Sequence, residues 1–273
     1  MKRILSVQDI SCVGKCALTV ALPVISAMGV ESAVLPTAVL STHTAFPSPA
    51  FRDLTEDMAA MADHWQKMGI TFDCIATGYL GSEQQVAAVL SVYEKFGSFL
   101  LVDPVMGDNG KLYSRITESF TEKMKDLCRR AQVVVPNVTE ACCLAGVAPV
   151  GECDEEFAKV LLEKLTSLCK GTVLITGVSF GEKIGVAGRV GGNGEFFSYS
   201  REKLPRGFHG TGDIFAAVLA ACVTLGKDWL QAAAVATDYT WETIRATIEE
   251  DADPRMGVCF EKTLHLLPKL LNK

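Results

Sequence analysis

The stretch Phe208-His209-Gly210-Thr211-Gly212-Asp213, running straight into Ile214-Phe215-Ala216-Ala217-Val218-Leu219, decides how this chain reads. It is a glycine loop opening into an apolar helix. Glycine permits tight turns and close backbone approach to a ligand. The first turn of a helix leaves N–H groups without intrahelical partners, and the macrodipole is positive there. Together these features bind anions, phosphate above all. A carboxylate at Asp213 would repel phosphate unless its task is to take a proton from a nucleophile attacking the phosphorus. Asp is equally at home capping a helix. These residues alone support both readings.

The chain on either side alternates strand and helix. Ile4–Val7 reads as a first buried strand ending in Gln8-Asp9, followed by a helix from Cys16 to Met28 that Gly29 stops. Residues 30–40 form a second strand region, closed by Ser41-Thr42-His43-Thr44. Pro47 and Pro49 mark a loop between Phe46 and Arg52. Phe51, Leu54, Met58, Met61, Trp65 and Met68 recur at helical spacing and read as a core stripe of one helix. Further strands follow at 74–77, 99–102, 133–135 and 173–175, with helices at 117–130, 139–144 and 157–168 and others from Gly212 and Trp229 and near Glu261. In the helix after Ser82, Val86, Val89, Leu90 and Tyr93 face the core. Gly191-Gly192-Asn193-Gly194 between two apolar runs is a hairpin signal. Strands apolar throughout, alternating with helices, predict a mainly parallel sheet covered on both faces. Right-handed crossovers put the strand C-termini on one edge, where ligands bind.

The polar residues fall at those strand ends: Gln8-Asp9, His43-Thr44, Tyr79, Asp103, Asn137 and Thr176, with the glycine loop to follow. Each has a plain structural explanation, since Asp103 before Pro104 is turn chemistry and Asn137 can cap a helix. Their convergence on one rim favours a single site. Asp103 and Asp108 close one strand, while Asn137 and Glu140 share a helix face. Such hard oxygen groups beside a phosphate site suit Mg²⁺. A capping box, with Glu140 reaching back to the backbone of Asn137, explains the second pair equally well.

Bulk properties exclude several classes. A chain of 273 residues at 49% hydrophobic can bury one large core, so a single domain over residues 1–273 is expected. Net charge is −6 and the 26 Lys and Arg are scattered, leaving no footprint for nucleic acid or an anionic membrane. The ten cysteines form no paired CxxC knuckles and are too sparse for a disulfide scaffold; they read as reduced thiols suited to the cytoplasm. Asp9 and Lys15 interrupt any signal-peptide core, and the apolar run from Ala17 to Val30 is too short to span a bilayer. There is no GxxxxGK[ST], no dinucleotide fingerprint at a strand-to-helix turn, and no GxSxG elbow.

GTGD at 210–213 before an apolar helix resembles the signature of the ribokinase-like kinases. Within them, Ser6-Val7-Gln8, Leu40-Ser41-Thr42-His43-Thr44, Gly78-Tyr79-Leu80-Gly81-Ser82, Asp103-Pro104-Val105-Met106-Gly107-Asp108 and Pro136-Asn137-Val138-Thr139-Glu140 resemble pyridoxal kinases, in order along the chain. The resemblance implies a three-layer α/β/α sandwich and ATP-dependent phosphorylation of the 5′-hydroxymethyl group of pyridoxamine, pyridoxine or pyridoxal. Asp213 would be the base, and Gly210, Thr211 and Gly212 the anion hole. Asp103 and Glu140 would arrange Mg²⁺, with Asp108, Asn137, Thr176 and Thr211 at the nucleotide. Asp9, His43, Thr44 and Tyr79 would face the pyridine ring, under a flap formed by the loop between Phe46 and Arg52. A homodimer is implied, and a monovalent-cation requirement is left open. Two departures matter. Asp9 stands where many pyridoxal kinases have Ser, and Asp9-Ile10-Ser11 resembles hydroxymethylpyrimidine kinases, as does His209-Gly210-Thr211-Gly212. Those enzymes typically carry Cys where this chain has Asp213. The alternatives are therefore a hydroxymethylpyrimidine kinase and a catalytically silent ligand-binding relative.

Overall fold

The apolar run after Lys2 builds β1 (Arg3–Ser11), longer than the expected strand, because it continues through Gln8 and Asp9. It does so by a bulge: Gln8 pairs with Pro36 and Ile10 with Val39, so two residues of β2 (Glu31–Leu40) face Asp9 alone. Bulges re-aim side chains beside functional sites. The computed structural model describes every residue except Arg115, Gly192, Asn193 and Lys273.

The chain then alternates as its periodicity predicts. After α1 (Leu18–Ala27) and β2 come β3 (Phe51–Asp53), α2 (Thr55–Lys67), β4 (Cys74–Thr77), α3 (Glu83–Phe96) and β5 (Phe99–Val102). A small β6–β7 hairpin (Gly107–Asp108, Lys111–Leu112) precedes α4 (Glu118–Arg130), β8 (Val133–Val134), α5 (Val138–Ala145) and α6 (Glu155–Leu168). The remainder is β9 (Thr172–Phe180), β10 (Lys183–Arg189), β11 (Phe196–Glu202), α7 (Thr211–Thr224), α8 (Trp229–Glu249), short 3₁₀ turns and α9 (Leu267–Leu271).

One nine-stranded sheet has the order β11-β10-β9-β8-β5-β4-β1-β2-β3. The run from β2 through β1, β4, β5 and β8 to β9 is parallel. Antiparallel strands finish both ends. Side chains alternate across it: Ile4, Leu101, Val133 and Leu174 pack toward α1, α7 and α8, whereas Leu5, Leu100, Val134 and Val173 pack toward α2–α6. Burial on both faces explains why these strands read as continuous apolar runs. The result is the expected three-layer α/β/α sandwich.

Other boundaries also differ from the sequence reading. The helix expected from Phe51 starts at Thr55, because Phe51–Asp53 pairs antiparallel with Ala38–Leu40 as an edge strand. Met58 and Ala62 carry the stripe into the core, while Met68 is 65% exposed past the helix end. Strand β9 runs beyond Thr176 to Phe180, since Gly177 (φ 81°) is an extra residue in its pairing with β10. The expected hairpin is present as β10 and β11, but Gly192 and Asn193 of its tip lie outside the described residues. Val86 and Val89 are buried as expected, and Leu90 and Tyr93 are half-buried. All ten cysteines are free thiols. No helix among the described residues is long and apolar enough to cross a membrane.

Leu101 lies at the middle of the parallel run and is fully buried. Leu101→Ala is expected to destabilise the fold by about 2–5 kcal/mol, read by urea denaturation at unchanged m-value.

Candidate active site

The parallel strands end in a row. Backbone bonds step across that edge from Gly78 N–H to Val7 C=O (3.2 Å), Asp103 to Thr77 (3.3 Å), Val135 to Val102 (2.9 Å) and Thr176 to Pro136 (3.0 Å). Asp9, Tyr79, Asp103, Asn137 and Thr176 therefore share one rim, as their places in the sequence predict.

Over this rim sits the first turn of α7. Helices α3, α4, α5, α6 and α8 each begin with a side-chain cap, but α7 has none: its N-cap is Gly210, left-handed at φ 82°. A Cβ at Gly210 would overlap the Lys15 carbonyl oxygen, so only glycine lets the two loops touch. Thr211 Oγ1 turns back to the Phe208 carbonyl (3.2 Å), leaving the turn's N–H groups open. Gly212 is exposed, and a Cβ there would meet nothing within 4 Å. The capping role for Asp213 fails, because it stands inside the first turn, where Gly210 is the N-cap; the Ala17 backbone, across the loop, favours its charged form. Ala17 holds φ 50° and ψ −133°, a conformation L-residues avoid. Burial pushes the Asp213 carboxyl up to about 6, and the charge of Asp9 adds to the shift. Strain at Ala17 and a perturbed acid at Asp213 mark a functional position.

A second group of acids faces it. Glu140 is 2% exposed and forms the capping box with Asn137, whose side chain accepts the Glu140 N–H while Glu140 Oε2 accepts the Asn137 N–H at 2.9 Å. Its Oε1 also accepts the Met106 N–H at 3.0 Å. Asn137 Nδ2 donates to the Gly107 carbonyl (2.8 Å), and the Gly110 N–H reaches Thr139 Oγ1 (2.9 Å). The start of α5 thus clamps the whole segment after β5. The capping reading is correct, and it does not exhaust the role of Glu140. Burial and the charge of Glu140, then that of Asp213, hold the Asp103 carboxyl well above its usual range. Burial likewise raises Glu140 to about 8. Buried carboxylates that repel one another in this way fit a divalent cation. Among the described residues no three His, Cys, Asp or Glu stand close enough to hold a metal together. Mg²⁺ binds through one or two carboxylates plus water and phosphate oxygens. Asp108 is exposed in the β6–β7 hairpin, and its Oδ1 accepts the Asn109 N–H at 2.7 Å.

At the other end of the rim Asp9 is 5% exposed and accepts the Ser11 hydroxyl at 2.9 Å. Burial raises its carboxyl. Burial also raises the Cys16 thiol, with Asp213 and Asp9 pushing the same way, so this thiol is no nucleophile. His43 is 7% exposed and packs edge-on against Phe46 and tilted against His209, with ring centroids 5.0 and 5.3 Å away. Its Nδ1 accepts the Ala45 N–H (3.3 Å), so Nε2 carries the proton and donates to the Arg255 carbonyl at 2.6 Å. Both nitrogens are thus engaged by backbone, and His43 offers a ring wall instead of a free polar contact. Thr44 is exposed on the adjoining loop. The segment 46–52 is tied at its base by Ser41 N–H to Ala50 C=O (3.0 Å) and Ala50 N–H to Ser41 Oγ (2.9 Å).

Sequence reading missed three contributors. Tyr113 is 41% exposed, and its phenol is raised by desolvation and by the charges of Glu140, Asp108, Asp213 and Asp103, which puts it within reach of the site's acids. The dipeptide Asn109-Gly110, left-handed at both residues (φ 51° and 75°), is the hairpin signal that would have found this arm. Ala17 carries no such signal, because only its conformation marks it. Two surface cavities, of about 160 and 390 Å³ around Lys159–Phe196 and Asp154–Ser179, involve none of these residues.

Gly210 and Gly212 should separate by substitution. Gly210→Ala is expected to destabilise the protein, because its Cβ meets fixed backbone at positive φ. Gly212→Ala should leave stability unchanged or raise it by about 0.5–1 kcal/mol while lowering turnover, because its methyl projects into the open anion site. Thermal midpoints and turnover measured on both variants check the pair.

A profile of the phosphomethylpyrimidine kinase family matches residues 20–255. The crystal structure of pyridoxal kinase from Lactobacillus plantarum superposes with a TM-score of 0.92 at 32% identity, over 99% of this chain and 98% of that one. A Bacteroides thetaiotaomicron protein provisionally assigned as a phosphomethylpyrimidine kinase, in a crystal form with pyridoxal, gives 0.91 at 35% identity, over 97% and 95%. Pyridoxal kinase of Arabidopsis thaliana is 27% identical over 91% of this chain and 83% of its own. The chain belongs to the phosphomethylpyrimidine kinase family, on its pyridoxal kinase side, within the ribokinase-like superfamily.

Proposed function

We propose that this protein is an ATP-dependent kinase of B6 vitamers, transferring the γ-phosphoryl group to the 5′-hydroxymethyl oxygen in pyridoxal 5′-phosphate salvage. The observation that carries this reading is Asp213, half-buried in the uncapped first turn of α7 with its carboxyl raised by burial to about 6. Asp213 takes the hydroxyl proton as that oxygen bonds to the terminal phosphorus and the bond to the bridging oxygen breaks. The N–H groups of the turn at Gly210, Thr211 and Gly212 hold the charge on the transferred group. Phosphoryl transfer needs such positioning and charge stabilisation more than covalent chemistry. Asp103 and Glu140 would hold Mg²⁺, which when bound neutralises nucleotide phosphate charge. Asn137, Thr176, Thr211 and Asp108 face the nucleotide; Asp9, His43, Thr44 and Tyr79 face the ring. The reading treats residues 1–273 as one catalytic domain, since a single sheet takes strands from Arg3 to Glu202. It is of a homodimer working in the cytoplasm, and leaves any monovalent-cation requirement to assay.

The second reading, a hydroxymethylpyrimidine kinase, is favoured by the family profile and by Asp9-Ile10-Ser11. Asp213 weighs against it, since a carboxylate stands where those enzymes typically carry a thiol. A panel of pyridoxine, pyridoxal, pyridoxamine and hydroxymethylpyrimidine with coupled ADP detection separates them. Preference for a B6 vitamer is expected, and preference for the pyrimidine would overturn the assignment.

Asp213→Asn is expected to lower kcat by about 10²–10⁴-fold while nucleotide binding survives calorimetric titration. In the wild type, kcat/KM should fall as pH drops through about 6, where the base becomes protonated. Stability moves oppositely. A folded-state carboxyl raised above its unfolded value costs stability once ionised, so Asp213→Asn should be the more stable protein above pH 6. That gain should disappear as pH falls below the unfolded carboxylate range, as thermal melts across pH would read.

A further inference from the structure

Two parts of the site, the ring wall at His43 and the loop that meets the anion hole, are held by consecutive residues of one surface turn near the end of the chain. Asp253 opens that turn, a 3₁₀ segment at Pro254–Met256, by accepting the Arg255 N–H at 2.9 Å. The Arg255 carbonyl accepts the His43 Nε2–H at 2.6 Å, and the Arg255 guanidinium lies 5.7 Å from the centre of the Phe46 ring. The next carbonyl, that of Met256, accepts the Lys15 N–H at 3.2 Å. Gly257 follows at φ 79° and runs as a parallel bridge beside Lys15. A Cβ on it would stand 2.7 Å from the Lys15 carbonyl oxygen, the same oxygen against which Gly210 packs at the start of α7. Residues 253–256 are exposed, whereas Gly257 and Val258 are buried. The Cys259 N–H then bonds to Thr247 Oγ1 of α8 at 2.8 Å. The turn is thus fixed to a core helix on one side and directs its carbonyls at the site on the other.

We propose that the turn from Asp253 to Gly257 is a positioning element, with Gly257 as its pivot, that sets the distance between the ring wall and the anion hole. The inference rests on the kinase reading above and assigns how that site keeps its two halves in register. In-line transfer needs the acceptor hydroxyl and the phosphorus at a defined separation, and a misplacement of about 1 Å from a change far from the chemistry can cost about 10²-fold in rate. His43 and Lys15 belong to different loops, after β2 and after β1. Carbonyls of adjacent residues cannot drift apart, because trans peptide geometry holds successive Cα atoms about 3.8 Å from one another. Bonding one loop to each carbonyl therefore ties the two loops at a fixed offset. Gly14 also lets the His43 ring lie on the β1–α1 loop, but that contact has no direction, whereas the two hydrogen bonds do. The turn acts through His43 and Lys15, so its failure leaves each half of the site intact but out of register.

The test compares wild type with Gly257→Ala, Asp253→Ala and Asp253→Asn. Each is assayed for kcat and KM, titrated separately with pyridoxine and with ATP by calorimetry, and followed by amide hydrogen exchange at Lys15. Alanine at 257 drives a methyl onto the Lys15 carbonyl. Gly257→Ala is expected to lower kcat about 10–100-fold while each ligand alone binds within about threefold of wild type. Asp253→Ala removes the acceptor for the Arg255 N–H at an exposed position and adds no volume, so the fold survives. It should show a smaller loss of the same kind, with faster exchange at Lys15. Asp253→Asn keeps that acceptor and loses only an exposed ion pair, so it should behave as wild type. A folded Gly257→Ala protein with unchanged kcat overturns the proposal, as does a loss of kcat matched by equal losses in both affinities. If Gly257→Ala does not fold, the Asp253 pair decides, and equal turnover in Asp253→Ala and Asp253→Asn overturns it. Wild-type protein that phosphorylates no B6 vitamer instead sinks the kinase reading. Exchange at Lys15 in Asp253→Ala still tests the turn by itself: faster exchange supports it and unchanged exchange overturns it.

Discussion

The contact between Gly210 and the Lys15 carbonyl sets the geometry on which the site depends. It joins the start of α7 to the loop between β1 and α1, and it exists only because Gly210 has no side chain and accepts φ 82°. Gly257 presses on the same carbonyl from the other side, with a built Cβ 2.7 Å from it. The Lys15 N–H bonds to Met256 (3.2 Å), so this loop is gripped by two distant parts of the chain. Ala17 in the same loop holds its unfavourable conformation, and its backbone acts on the Asp213 carboxyl.

The second constraint is accumulated negative charge. Asp9, Asp213, Asp103 and Glu140 are drawn to one rim, and each carboxyl is raised, chiefly by burial. Carboxylates gathered and buried in this way are costly in the free protein, and a metal with nucleotide phosphate at Asp103 and Glu140 would relieve part of that repulsion. The N–H groups at the α7 N-terminus counterbalance it for the anionic partner. Stability and function therefore pull in opposite directions at this edge of the sheet.

Much of this was legible in the chain. Apolar runs without alternation implied strands buried on both faces, and the sheet has that form. Polar residues at predicted strand ends implied a rim, and Asp9, Tyr79, Asp103, Asn137 and Thr176 occupy it. Boundaries were less readable. Phe51 and Leu54 fit a helical period, yet Phe51–Asp53 became a strand because the edge of β2 offered unpaired backbone groups. Thr176 was not a strand terminus, because a glycine bulge let β9 continue. His43 was expected to face the ring, and only the structure showed that the backbone at Ala45 and Arg255 engages both its nitrogens.

What the sequence determined by itself was the fold class and the chemical inventory: a glycine-opened helix, a carboxylate in its first turn, and acids at strand ends. Periodicity and glycine placement are local properties, so they survive without coordinates. The tertiary structure alone decided what those groups do to one another. Whether Asp213 caps its helix or stands inside the first turn depended on Gly210 meeting the loop of Lys15 and Ala17, far from it in sequence. Whether Glu140 merely closes a capping box turned on Met106 and Asp103, on another element. That the charge of Asp9 reaches Asp213 required the β1–β2 bulge and the α7 turn to meet, because electrostatics depends on distance through space and not along the chain.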